Sequence, residues 1–406
     1  MPDLCIYAQV HQPFRLRPFR IFDIGTGASY FDDQANRTIL RRVADKCYIP
    51  ANRLFKEAIE RSDGRFKIAL SLSGVLLDQL EADAPDALAS FQDLVASGGV
   101  ELLGETFYHS LASLRDRDEF FLQVDMHRQA IHRYFGRRPL VFRNTELIYD
   151  DAIAPMAAQM GFRGMLVEGA DAVLGWRSPN YVYESASAPG LRLLPRNYRI
   201  TDDVGFRFSN REWDGWPLTV GKWTDWIASS AKSSVHVFLD YETFGEHQWA
   251  ETGIFDFLRQ LPDALAARNI ACLHPSTLAT RAPAAALSFP VPVSWADVER
   301  DTSAWLGNRM QLAAFDRLYR LGPALRSLGD PWRLETWRRL TTSDHLYYMC
   351  TKWFADGDVH KYFNPHASPY DAFVAFMNVL TDLERSSEGA RPGKPWVDAG
   401  EMAVAG

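Results

Sequence analysis

Two acidic segments carry side chains that could do chemistry: Phe142-Arg-Asn-Thr-Glu146-Leu-Ile-Tyr149 and Phe238-Leu-Asp240-Tyr-Glu242-Thr-Phe-Gly245-Glu246-His247. Each places a carboxylate at or just beyond the end of a short apolar run, Leu140 to Phe142 and Val235 to Leu239. Runs of that kind make buried strands. A carboxylate at the mouth of such a strand is held rigidly by the sheet and still faces a cleft. Two from separate strands are what glycosidic bond hydrolysis needs, one to attack the anomeric carbon and one to protonate the leaving oxygen. Glu146 and Asp240 are that pair.

The elements that must position them alternate through the first 280 residues. Strands are predicted at Leu4–Val10, Phe66–Leu72, Val100–Leu103, Leu140–Arg143, Gly164–Val167, Leu191–Leu194, Val235–Leu239 and Ile270–Leu273. Helical patterns fall between many of them: Asn36–Arg61, Pro85–Ala96, Asp118–Tyr134, Ile153–Met160 and Gly253–Ala267. Such alternation is the mark of a parallel barrel or a doubly wound sheet. The barrel fits better, because His11, Glu105, Glu146 and Asp240 each sit at or just after a strand end, and those positions converge on one face of a barrel. Residues 281–294 read as an Ala- and Pro-rich linker, 295–385 as a helical domain that completes the cleft, and 386–406 as a mobile tail.

Composition excludes several classes. A net charge of −7 argues against a protein that tracks phosphates. No apolar run reaches the roughly 18 residues of a membrane span, and the N-terminus has no secretory pattern. Cys5, Cys47, Cys272 and Cys350 lack CxxC spacing and read as buried thiols in a reducing, cytoplasmic setting. The outlier is aromatic content, 13% with 12 Trp, several of them clustered around Trp213, Trp216, Trp223 and Trp226. Indole faces stack on sugar rings, so a loop rich in them suits a glucan cleft.

Five ordered segments carry a family resemblance. They are His11-Gln-Pro, Gly104-Glu105-Thr-Phe-Tyr-His109-Ser, Phe142-Arg-Asn-Thr-Glu146-Leu, Asp240-Tyr-Glu242-Thr-Phe-Gly245-Glu-His, and Thr342-Ser-Asp344-His345-Leu-Tyr-Tyr. In these the chain resembles glycoside hydrolase family 57, whose members are α-amylase-like retaining enzymes. The resemblance implies an incomplete (β/α)7 barrel followed by a C-terminal α-helical domain. It places the nucleophile on Glu146, the acid/base on Asp240 and an active-site histidine on His11. Some members carry a carboxylate where this chain has His109, and Glu105 stands nearby as an alternative polar contact.

By the same resemblance Asp344 and His345 close the site from the helical domain. Trp295, Asp297, Trp305 and Asn308 look like a second stretch lining the cleft. On their chemistry alone, Trp216 and Trp223 are expected to line it too, and Arg143, three residues before Glu146, is expected to orient or ionise that carboxylate. The implied partner is an α-glucan such as glycogen, starch or maltodextrin, with no cofactor, metal or nucleic acid. A glucanotransferase or branching enzyme uses the same intermediate and stays open as an alternative. More remote are a metal-dependent polysaccharide deacetylase built on His11, His109, Asp240 and His247, and a non-catalytic glucan-binding protein.

Overall fold

The apolar runs become parallel strands: β1 (Asp3–Val10), β2 (Ile68–Leu72), β3 (Val100–Leu102), β4 (Val141–Arg143) and β5 (Gly164–Glu168). Short β6 (Tyr183–Ser185), then β7 (Arg192–Arg196), β8 (Ser234–Asp240) and two-residue β9 (Ala286–Leu287) follow. This is a computed structural model, and it describes residues 2–230, 233–352 and 363–388. One sheet has the order β3-β2-β1-β8 and the other β4-β5-β7-β6-β9.

Two seams join the sheets into a barrel. Gly104, just past β3, bridges Phe142 in parallel, and the Arg143 amide donates to the Gly104 carbonyl at 2.8 Å. At the other side the Asn197 amide, one residue past β7, donates to the His236 carbonyl in β8 at 2.8 Å. The circuit β8-β1-β2-β3-β4-β5-β7 therefore returns to β8. That is the seven-stranded barrel the family resemblance implies. The predicted strand Ile270–Leu273 is reduced to a single bridge between Leu4 and Cys272.

Alternation along each strand decides what fills the barrel. Tyr7, Ala69, Leu103, Val141, Leu166, Leu194 and Phe238, one from each strand or its end, meet in one buried apolar cluster. Registers such as Tyr7↔Ala69, Tyr7↔Phe238 and Leu166↔Leu194 keep these residues on the same face. Two residues further along every strand the inward position is polar: Gln9, Ser71, Glu105, Arg143, Glu168, Arg196 and Asp240. A greasy plug thus supports a polar, partly charged layer at the carboxyl-terminal mouth.

The chain divides into two compact units. The barrel unit comprises Met1–Gln12, Ile39–Phe107 and Phe121–Asp301. The second comprises Pro13–Thr38, Tyr108–Phe120 and Thr302–Gly406. Its helices include Arg309–Leu328, Pro331–Leu340, Ser343–Tyr347 and Pro369–Glu388. The helix Arg309–Leu328 opens on a capping box in which Asn308 accepts from the Gln311 amide at 2.9 Å. Of the predicted tail, Ser386–Glu388 finish the helix Pro369–Glu388, and residues 389–406 lie outside the described residues. Among the described residues no helix is long and apolar enough to cross a membrane.

Candidate active site

Glu146 sits directly after β4 in a turn of unusual geometry. Its backbone is left-handed, φ 58° and ψ 26°, and Leu147 follows at φ 51°. Neither residue is glycine, and each such conformation costs roughly 1–3 kcal/mol and persists only where its surroundings enforce it. They do: the Asn144 amide nitrogen Nδ2 donates to the Ile148 carbonyl at 2.9 Å, and the hydroxyls of Thr145 and Thr106 are 2.9 Å apart. The Trp295 amide donates to the Glu146 carbonyl at 3.2 Å. The same indole gives its Nε1–H to Glu146 Oε2 at 2.8 Å. The turn is strained and over-determined, and the residue that carries its carboxylate is 8% exposed.

Asp240 ends β8, level with Gln9 of β1, and is half-buried. The segment after it is pinned from below by the helix that follows the first strand. Sequence periodicity predicts one helix over Asn36–Arg61; the structure interrupts it with a five-residue π turn, Ala44–Tyr48. Wider turns of this kind shift side-chain register and recur at functional sites. Here the shift lets the Cys47 thiol donate to the Tyr241 carbonyl at 3.3 Å and the Tyr48 hydroxyl to Glu242 Oε1 at 2.6 Å. Gly245, at φ 120°, abuts the Lys46 carbonyl so closely that any Cβ would collide with it. The spacing Asp-x-Glu-x-x-Gly is thereby a packing requirement.

Burial, reinforced by the charge of Asp240, pushes Glu242 up to about 8, against the pull of the Tyr48 hydroxyl. Its folded value lies above the unfolded one of 4.5, so the folded state keeps a proton the unfolded chain gives up. Stability from this group is full below about 4.5 and is lost as pH rises towards about 8. Glu101 and Glu168, each pushed up to about 7 by burial, act in the same sense. Thermal melts across this window are expected to fall with pH in the wild type and to fall less steeply in Glu242→Gln; parallel curves would refute the assignment.

The rest of the mouth is a hydrogen-bonded ring. Glu105 is fully buried and accepts from Gln9 Nε2 at 3.3 Å and from the Ser71 hydroxyl. His127 supports it from behind, with Nδ1 3.4 Å from the Glu105 amide and Nε2 2.9 Å from the Leu72 carbonyl. His11 Nδ1 lies 2.7 Å from the Ser73 hydroxyl. Glu168 pairs with Arg196 and Arg300, both at 3.3 Å. Gln9, Ser71, Glu168, Arg196 and Arg300 are absent from the sequence reading. For the four on strands the signal was present: each lies two residues beyond an inward apolar position.

The tryptophans separate into different roles. Trp223 is 2% exposed, gives Nε1–H to the Ile200 carbonyl at 3.1 Å and packs edge-on against Phe257. It fills the core and does not line a cleft, contrary to the reading that groups it with Trp216. Trp216 is 43% exposed, with the Arg211 guanidinium over its ring. Trp295 is half-buried on Glu146.

In the helical unit, the His109 carbonyl accepts from the Ser343 amide at 2.9 Å, and Ser110 bridges Thr342. The second and fifth sequence segments are thus joined there. Asp344 is half-buried, whereas His345 is buried beside Phe376 and Tyr348, and burial lowers it to about 4. Trp305 is buried against Tyr347. Among the described residues no group of three or more His, Cys, Asp or Glu side chains is gathered to hold a metal.

A seven-stranded parallel barrel with carboxylates gathered at its mouth fits the class of carbohydrate-active hydrolases. Residues 5–292 match the model of glycosyl hydrolase family 57, and the chain belongs to that family. It is 41% identical over 391 residues to a protein of Methanocaldococcus jannaschii named "Putative alpha-amylase", covering 93% of this chain and 83% of that one.

Among solved structures it is similar in fold to a 4-alpha-glucanotransferase from Thermococcus litoralis, with TM-score 0.70 and 15% identity over 95% of this chain. The match spans 60% of that longer protein. It is also similar to a branching enzyme of Thermococcus kodakaraensis, with TM-score 0.66 and 14% identity over 96% of this chain and 94% of that one.

Proposed function

We propose that this protein is a retaining α-glucan hydrolase, cleaving α-1,4 linkages of glycogen, starch or maltodextrins by double displacement. The observation that carries the reading is the strained turn at Glu146, where two left-handed residues and an indole hydrogen bond fix one carboxylate at the barrel mouth. Glu146 attacks the anomeric carbon, and the C–O bond to the leaving sugar breaks as Asp240 delivers its proton to that oxygen. Asp240, now ionised, takes a proton from water, whose oxygen displaces Glu146 and restores the original anomeric configuration.

The name of the 41% identical relative favours hydrolysis over transfer. Four buried cysteines, with no disulfide among the described residues, support a reducing compartment, the cytoplasm. Incubation with maltoheptaose is expected to give only shorter maltooligosaccharides, released as α-anomers. Longer chains would make the protein a transferase, and β-anomers would exclude the retaining mechanism.

A further inference from the structure

Arg143 is the most demanding side chain in the barrel. It points inward at the mouth and is 0% exposed. None of its three guanidinium nitrogens has a hydrogen-bond partner among the described residues. A buried charge without hydrogen bonds costs several kcal/mol. Its evident compensation is the Trp295 ring, 4.7 Å from the guanidinium carbon. A second guanidinium, that of Arg196, lies 5.9 Å from the same ring. Arg196 is itself fixed by the Phe238 carbonyl at 2.8 Å and by Glu168. One indole therefore meets two cations while its N–H is committed to Glu146 Oε2.

We propose that Trp295 is a working part of the site, aiming and polarising the Glu146 carboxylate through its Nε1–H. Arg143 and Arg196 are positioning residues that act on Glu146 through the indole face. The inference rests on Glu146 being the nucleophile. Cations over the π-cloud draw electron density from the ring and make its N–H a stronger donor. Holding Oε2 in place also fixes the plane of the carboxylate for attack. Arg143 is thereby kept in an unfavourable burial for the sake of the reaction, a trade between stability and activity.

The test is a set of variants assayed on maltoheptaose: Trp295→Phe, Arg143→Met, the double variant, and Glu146→Gln as reference. Trp295→Phe keeps an aromatic ring and loses the donor. Its kcat is expected to fall about 10- to 100-fold with KM within about twofold, the size of one lost charge-assisted hydrogen bond in a site. Arg143→Met is expected to lower kcat in the same way while leaving the melting temperature unchanged or higher, because methionine fills the space without the desolvation cost of a buried cation that makes no hydrogen bond among the described residues. The double variant is expected to be no slower than Trp295→Phe alone.

Wild-type kcat in Trp295→Phe, beside an inert Glu146→Gln, would overturn the inference and leave the nucleophile standing. Additive losses in the double variant, or an Arg143→Met loss that tracks lowered melting temperature, would also overturn it. Full activity in Glu146→Gln would overturn the underlying reading instead.

Discussion

Glu146→Gln is expected to reduce turnover of maltoheptaose on the order of 10⁴-fold, the scale of removing a covalent nucleophile from a preorganised site. The variant should fold. Glutamine has the same length, tolerates the same backbone, and its amide oxygen still accepts the Trp295 Nε1–H that the carboxylate accepts at 2.8 Å. The mouth layer beneath is untouched, so the thermal melt should change little while the chemistry stops. A sharper form uses Glu146→Ala with added azide. The small anion enters where the carboxylate stood and attacks from the same side, so activity returns with a product of inverted configuration. A rate within about tenfold of wild type would remove Glu146 from the mechanism, since loss of a covalent nucleophile costs orders of magnitude more than that.

Asp240→Asn is expected to produce a second, distinguishable loss. General acid–base assistance contributes about 10²- to 10⁴-fold, so maltoheptaose cleavage should fall within that range. With a glucosyl fluoride the leaving group departs without a proton, and the first step should be largely preserved. The second step still lacks its base, so the glycosyl-enzyme should accumulate. A fast burst followed by slow turnover is the expected trace. Equal losses on both substrates would mean that Asp240 shapes the site without moving a proton. The neighbouring Glu242, whose Oε1 accepts from the Tyr48 hydroxyl at 2.6 Å, is a support and not a substitute acid. Its proton is held by burial in a position fixed from below by the π turn Ala44–Tyr48.

Much of this was readable in the residues. The strand runs ending at Val10, Leu72, Arg143 and near Asp240 predict their strands to within about two residues, because buried parallel strands are short apolar blocks that need no partner information. The proposed pair, Glu146 and Asp240, is suggested by the same runs, since a carboxylate at a strand mouth is a chemical choice and not a folding one. What escaped was whatever depended on pairing across the barrel. The polar layer of Gln9, Ser71, Glu168 and Arg196 becomes visible only when strands are laid in register. No local pattern distinguishes Trp223, buried against Phe257, from Trp295, which reaches Glu146. The difference lies in which element each side chain meets far along the chain. The π turn escaped for the same reason, because Cys47 and Tyr48 are drawn to Tyr241 and Glu242 by tertiary contacts that override regular helix.

The central claim is a covalent bond between a sugar and Glu146, and trapping that bond tests it most directly. Asp240→Asn, incubated with a fluorinated α-glucosyl fluoride, should accumulate a glycosyl-enzyme. Digestion and mass spectrometry should then find the sugar's mass on the peptide containing Asn144-Thr145-Glu146, with fragmentation placing it on Glu146. A label on any other carboxylate, or no label accompanied by products of inverted configuration, would contradict the account.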